Sequence, residues 1–167
     1  WATAITREHY FEKPELEMPG FFKETPCSSP LQLPQPLESS GVDVLEAVRR
    51  RRSRRSFSEK PLSLAELSTL LYYSVGVTGY DERRGRPLRT YPSAGGRQPL
   101  EVYVSASRVE GLEPGIYHYR PRSHELCMLR RSDHARRLAS ACLDQDHVAE
   151  APASLIMTVV YARTASR

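Results

Sequence analysis

Arg49-Arg-Arg-Arg-Ser-Arg-Arg-Ser-Phe57 packs six arginines into seven residues. The whole chain has a formal net charge of +4, so without these six it would carry +4 − 6 = −2. The basic character of the protein is therefore one patch. Such a patch calls for an anion, and the planar, forked guanidinium suits phosphate or carboxylate better than an ammonium does. A solvated basic helix end or a nucleic-acid patch is the plainer reading. A second stretch tips the balance. Tyr91-Pro-Ser-Ala-Gly-Gly-Arg-Gln-Pro99 is a Gly-rich turn, where backbone N–H groups can come close to a ligand.

Just upstream of the arginines, Asp43 is placed to cap a helix from Val44, with Val44, Leu45 and Val48 as its expected buried face. That helix delivers Arg51 to Arg55 at its C-terminal end, where cations suit the dipole. Downstream, Pro61 and Ser63 open a second helix. Ser63-Leu-Ala-Glu66 forms a capping box, Leu64, Leu67, Leu70 and Leu71 make the apolar stripe, and the helix ends near Gly76. Residues 77–91 carry Gly79, Gly85 and Pro87 and are expected to form a mobile loop. Tyr72 and Tyr73 are read as packing residues.

From Leu100 the period changes to two, with Leu100, Val102, Val104 and Ala106 set against Glu101, Tyr103 and Ser105, a strand with one face buried. Pro114-Gly115 turns the chain into Ile116–Tyr119, which pairs with Glu125–Leu129 as a hairpin. Ser132 is expected to start a third helix, with Ala135, Leu138, Ala139 and Cys142 on one side. Ala153–Tyr161 is almost continuously apolar and β-branched, the mark of a central strand buried on both faces. Helices, a meander and a central strand make an α+β layered fold. A central strand so near Arg167 implies covering elements from further sequence or another chain. Residues 1–40, rich in proline, read as an extended N-terminal arm packing on a neighbour, with any helix confined to its start. Residues 41–167 read as the folded domain.

At 167 residues one domain is expected. No apolar run approaches the roughly 20 residues of a membrane span, and no secretory signal is evident at the N-terminus. Cys27, Cys127 and Cys142, odd in number and without CxxC spacing, read as reduced thiols, which suits the cytoplasm and argues against zinc. His118 and His124 flank the hairpin and are read as surface residues without a metal. The nucleic-acid reading lacks interleaved aromatics and is set aside.

Taken together, Arg51-Arg-Ser-Arg-Arg55 and Pro92-Ser-Ala-Gly-Gly96 resemble the nitroreductase-like FMN flavoproteins. In detail they are most similar to the SagB-type branch, which oxidises azolines to azoles in modified peptides. Leu33-Pro-Gln-Pro36, Pro61-Leu-Ser-Leu64, Leu100-Glu-Val-Tyr-Val104 and Val109–Tyr119 fit the same pattern. The resemblance implies a three-layer α/β/α sandwich, of which this chain is the N-terminal portion, apparently incomplete at its C-terminus. It implies that Arg51, Arg52 and Ser53 hold the FMN phosphate and ribityl end, with Arg55 at the N1/O2 side of the ring. Pro92, Ser93, Ala94, Gly95 and Gly96 would line the same flavin from the second protomer of a homodimer. A peptide substrate and other peptide-modifying enzymes are the implied partners. The catalytic lysine of the azoline oxidisers would fall by spacing at Arg167, which does not deprotonate at neutral pH, so no catalytic residue is assigned. The alternative is a catalytically incomplete SagB-like domain that scaffolds a peptide-modifying complex.

Overall fold

The computed structural model describes residues 18–39 and 41–165. The expected helix at the start of the arm and the position of Arg167 lie outside the described residues. The first two helices form where their local signals agree. In α1 (Val44–Arg50) the Asp43 carboxylate accepts from the amides of Leu45 and Glu46 at 2.9 and 3.3 Å. Glu46 then pairs with both Arg49 and Arg50 one turn on. The helix stops at Arg51 because a further turn would stack Arg50 on Arg54 and Arg51 on Arg55, like charges at i,i+4. In α2 (Leu64–Val75) the capping box is complete: Ser63 Oγ accepts from Glu66 N, and the Glu66 carboxylate accepts from Ser63 N at 2.9 Å. Gly76 ends the helix, and a Cβ there would lie 2.4 Å from the Tyr72 carbonyl oxygen.

Among the described residues the main sheet has five antiparallel strands in the order β1-β6-β5-β4-β7. They are β1 (Leu31–Gln32), β4 (Leu100–Ala106), β5 (Gly115–Arg120), β6 (Glu125–Arg131) and β7 (Ala153–Val159). Helix α2 lays Leu67, Leu71 and Val75 against Leu33, Val102, Val104, Tyr117, Tyr119 and Leu126 of the sheet and arm. Leu67 and Leu71 are fully buried, each contributing about 1.5–3 kcal/mol over exposure. Tyr72 and Tyr73 pack edge-to-face, and the Tyr73 hydroxyl donates to Leu37 O at 3.0 Å. Three short helices follow the meander: α3 (Ala135–Ala141) and α4 (Asp146–Glu150), which pack on each other, and α5 (Tyr161–Ala165). The third helix begins at Ala135 and not at Ser132, with Asp133 Oδ1 accepting from Ala135 N at 2.9 Å.

Several expectations are corrected. Residues 77–91 hold a two-stranded hairpin, β2 (Val77–Asp81) and β3 (Arg86–Arg89). Gly85 sits in its turn at φ +60°, and Pro87 pairs opposite Tyr80 in a ribbon that has no third strand to serve. Val44, Leu45 and Val48 are exposed among the described residues, since nothing described covers α1. Among the described residues β7 is an edge strand paired only with β4, and Met157 and Val159, on the same face as the core residue Val102, are left uncovered. On β4 the face opposite the core is also covered, because Glu101 and Ser105 are buried.

The described part of the arm packs on its own chain. Leu31 and Gln32 pair with Leu126 and Glu125, and Cys27 is disulfide-bonded to Cys127. The odd cysteine count could not show this, because pairing depends on which segments fold together. β1 beside β6 brings these two Cα atoms to 5.8 Å, within bridging range. The cysteine argument for a cytoplasmic setting therefore lapses. No helix among the described residues is long and apolar enough to cross a membrane.

His124 is not a surface group either. Its neutral Nε2–H form satisfies every neighbour. Nε2 donates to Ser68 Oγ (2.7 Å) and Pro34 O (3.3 Å), the Tyr119 hydroxyl donates to Nδ1 (2.8 Å), and Ser68 Oγ donates to Pro34 O (2.5 Å). Burial lowers the His124 pKa and outweighs the Pro34 carbonyl, which raises it. A lowered folded value means that the unfolded chain takes up the proton first. The stability His124 contributes is complete above about pH 6.5 and is lost as pH falls through the lowered folded value. We expect His124→Asn, a residue that tolerates the φ of +54° there, to flatten the pH dependence of urea midpoints just below about pH 6.5. An unchanged slope would mean that His124 binds its proton equally well in the native and unfolded states.

Candidate functional site

The arginine run leaves α1 without regular secondary structure, and every residue from Arg51 to Lys60 is exposed. Arg49 and Arg50 are neutralised by Glu46. Arg52 Nη1 folds back on the carbonyls of Arg49 (3.2 Å) and Arg51 (2.8 Å). The guanidinium groups of Arg51, Arg54 and Arg55 have no hydrogen-bond or ion-pair partner among the described residues. Ser53 lies between them, exposed. The structure thus splits the six arginines into two that are paired, one folded onto backbone, and three left open.

The Gly-rich turn follows β3. Ala94–Gly96 is a single 3₁₀ turn in which Gly95 and Gly96 sit at φ +63° and +66°. There the backbone needs glycine for its conformation, since a Cβ at Gly95 would meet nothing closer than 3.5 Å. Gly96 N donates to Ser93 O (2.9 Å) and Gln98 N to Ser93 Oγ (2.9 Å), which closes the loop on Ser93. Arg86 Nη1 donates to Gly95 O at 2.7 Å, so the β2–β3 hairpin props the turn from behind. Pro92, Ala94 and Gly95 are exposed, while Ser93 and Gly96 are half-buried. No hydrogen bond, ion pair or ring contact among the described residues joins this turn to the arginine run.

Behind the turn lies a buried polar chain that periodicity and motif did not reveal. Arg163 on α5 and Glu101 on β4, each 2% exposed, are in contact through Arg163 Nη1 and Glu101 Oε1 at 2.7 Å. Glu101 Oε2 accepts from His118 Nε2 at 3.1 Å, and His118 Nδ1 meets the Thr25 hydroxyl at 2.5 Å. His118 is thus a core residue, contrary to the surface reading. Burial alone would raise the Glu101 pKa, but the hydrogen bonds from His118 and Arg163 and the charge of Arg163 more than offset it, and the net direction is down. A cavity of about 270 Å³ opens above Glu101 and His118, bounded by Phe22, Lys23, Arg120 and Arg122. No group of three or more His, Cys, Asp or Glu among the described residues could hold a metal.

A comparison with protein families matches residues 48–167 to the Nitroreductase family, a span that holds the arginine run, the Gly-rich turn and the whole sheet except β1. The chain belongs to the nitroreductase family. A Methanocaldococcus jannaschii protein bearing the name of a nitroreductase is 41% identical over 134 residues, which is 80% of this chain and 64% of that protein. The chain therefore spans less than two thirds of this nitroreductase relative's length. The trifolitoxin-processing protein TfxB of Rhizobium leguminosarum bv. trifolii is 39% identical over 69 residues, 39% of this chain and 18% of that one. A crystal structure from Anabaena variabilis, also named for nitroreductase, superposes with a TM-score of 0.66 and 28% identity over 90% of this chain and 28% of that one. The α+β nitroreductase fold is thereby established for this chain.

Proposed function

We propose that the protein is an FMN-dependent oxidoreductase that dehydrogenates azoline rings in a peptide, or a related small substrate. It works as a homodimer whose flavin lies between the arginine run of one protomer and the Gly-rich turn of the other. The observation that carries this reading is the trio of open guanidiniums, Arg51, Arg54 and Arg55, in an otherwise slightly acidic chain. Three cations without partners among the described residues, within five positions of one another, repel each other and gain from a multiply charged anion. That donor set fits a phosphate-bearing cofactor, and the positive-φ glycines leave the turn without side chains where a ring would approach. The relative named for trifolitoxin processing supports a peptide substrate and peptide-modifying partners.

Oxidising an azoline removes a hydride, for which bound FMN would supply the acceptor, and a proton, which would leave to water because no base of this chain is assigned. The roles of the chain are binding and charge placement. Arg51, Arg52 and Ser53 would hold the phosphate and ribityl end through charge-assisted hydrogen bonds, each typically worth about 1.5–3 kcal/mol, with Arg52 giving up its contacts to the Arg49 and Arg51 carbonyls for the anion. Arg55 is assigned to the pyrimidine side of the ring, where a guanidinium favours added negative charge. Pro92–Gly96 offer backbone against the ring face.

FMN titration, followed by flavin fluorescence, tests this reading. Arg51→Ala and Ser53→Ala are each expected to weaken binding about tenfold or more with the fold intact by circular dichroism. Arg55→Ala is expected to keep oxidised FMN but lower its midpoint potential. Wild-type affinity in both phosphate-site variants would remove the assignment, and an unchanged potential would return Arg55 to the surface.

A further inference from the structure

Arg163 is an odd residue to bury for the sake of stability. An ion pair taken from water into a protein interior is on average no better than well-packed apolar side chains. What a guanidinium offers that a leucine cannot is a rigid fork of donors able to fix several acceptors at once. Arg163 uses that fork on three separate segments. Its Nε donates to Gly20 O in the arm at 2.8 Å, and its Nη1 donates to Gln98 O at 3.1 Å and meets Glu101 Oε1 of β4 at 2.7 Å. Its own carbonyl accepts from Arg97 Nη1 at 3.2 Å. Arg97 and Gln98 are the two residues that directly follow Gly95 and Gly96.

We propose that Arg163 is a positioning residue for the Gly-rich turn, holding the Gln98 carbonyl inward so that Ser93–Gln98 keeps one shape, with Glu101, His118 and Thr25 fixing the guanidinium in turn. This rests on the flavin reading only for what the turn is shaped to receive. Gln98 is buried and sits at φ +51°, a conformation that costs a non-glycine residue energy. Something must hold it there. Its amide is held by Ser93 Oγ and its carbonyl by Arg163. Arg86 likewise holds the Gly95 carbonyl. With the carbonyls of Gly95 and Gln98 drawn off to two arginines, the exposed edge of the loop at Ala94 and Gly95 is left to its amides, which have no hydrogen-bond partner among the described residues. Glu101 makes the arrangement tolerable, because a guanidinium buried without a counter-charge would cost several kcal/mol.

Positioning can be told from plain structural support. Three variants of the full chain are compared at a temperature where circular dichroism shows each folded: Arg163→Met, Arg163→Lys, and Leu71→Ala as a remote core lesion. Two quantities are read, amide exchange at Gly96 and Gln98 without FMN, and FMN affinity by fluorescence. Arg163→Met is expected to speed exchange at both amides and weaken FMN binding, each about tenfold. Arg163→Lys, with charge but no fork, should fall between Met and wild type, and it carries the same readouts if the Met variant does not fold. Leu71→Ala should lower the melting temperature and move neither quantity. Wild-type exchange at Gly96 and Gln98 in the Arg163 variants would overturn the proposal, as would faster exchange with undiminished FMN affinity. If wild type takes up no FMN and Arg163→Met still frees the two amides, the positioning role stands and the flavin reading falls.

Discussion

Cys27→Ser is expected to lower the free energy of unfolding by about 2–4 kcal/mol, and a reductant should do the same to wild type. The bridge joins residues 100 apart in sequence, so it closes a long loop and removes much freedom from the unfolded chain. The arm is also held without the bridge, by Leu33 in the core and by hydrogen bonds at Gly20, Thr25, Pro34 and Leu37, so the covalent tie acts mainly on the unfolded chain. β1 has two residues, and beyond its pairing the arm is tied by Leu33 N to His124 O (3.1 Å), by Gln32 Nε2 to Ser123 O and His124 O (3.1 Å each), and by Lys23 Nζ to Tyr103 OH (2.7 Å). Cys27 is the better position to change, because Cys127 is fully buried and a hydroxyl there would need a new partner. Urea denaturation with and without reductant measures the effect. Equal midpoints for wild type, reduced wild type and Cys27→Ser would show that the arm holds without its covalent tie.

Glu101→Leu should be as damaging, by about 3–5 kcal/mol, because it strands the buried Arg163 guanidinium and frees His118 Nε2. The double variant Glu101→Leu/Arg163→Met removes both charges and should recover part of that loss, since neither charge is then left unpaired. A double-mutant cycle read by urea denaturation gives the coupling between the two. A double variant no more stable than Glu101→Leu alone would mean that the hydrogen bonds of Arg163 to Gly20 and Gln98, and not its charge pairing, dominate.

The parts of this fold readable in the sequence are those fixed by neighbours in sequence. Ser63 and Glu66 are three residues apart and cap α2 as expected, and Leu100–Ala106 and the Ile116–Leu129 hairpin have the period that strands impose. Periodicity on Val44, Leu45 and Val48 foretold a helix correctly but could not say whether anything covers it. Gly79, Gly85 and Pro87 read as breakers, yet they are compatible with a lone two-stranded ribbon. Cys27 and Cys127, or Glu101 and Arg163, are brought together only by the completed sheet. Of the candidate site, the glycines were legible because positive φ asks for glycine. Glu101 gave a faint signal, a carboxylate flanked by apolar positions on a strand, that only its partner explains. The arginine run told of an anion, but not which of its guanidiniums would remain open.

Pairing between Leu31 and Leu126 also sets an order of events during synthesis. The first strand of the sheet leaves the ribosome 126 − 31 = 95 residues ahead of its partner, a delay of roughly 5 to 20 s at 5–20 residues per second. Through that interval Leu31 has no partner strand and Cys27 has no thiol of β6 to meet, although α2, β4 and β5 emerge before β6. The nascent arm is then a natural client for a chaperone that shields short apolar segments. Its closure onto β6 comes late in building this part of the chain.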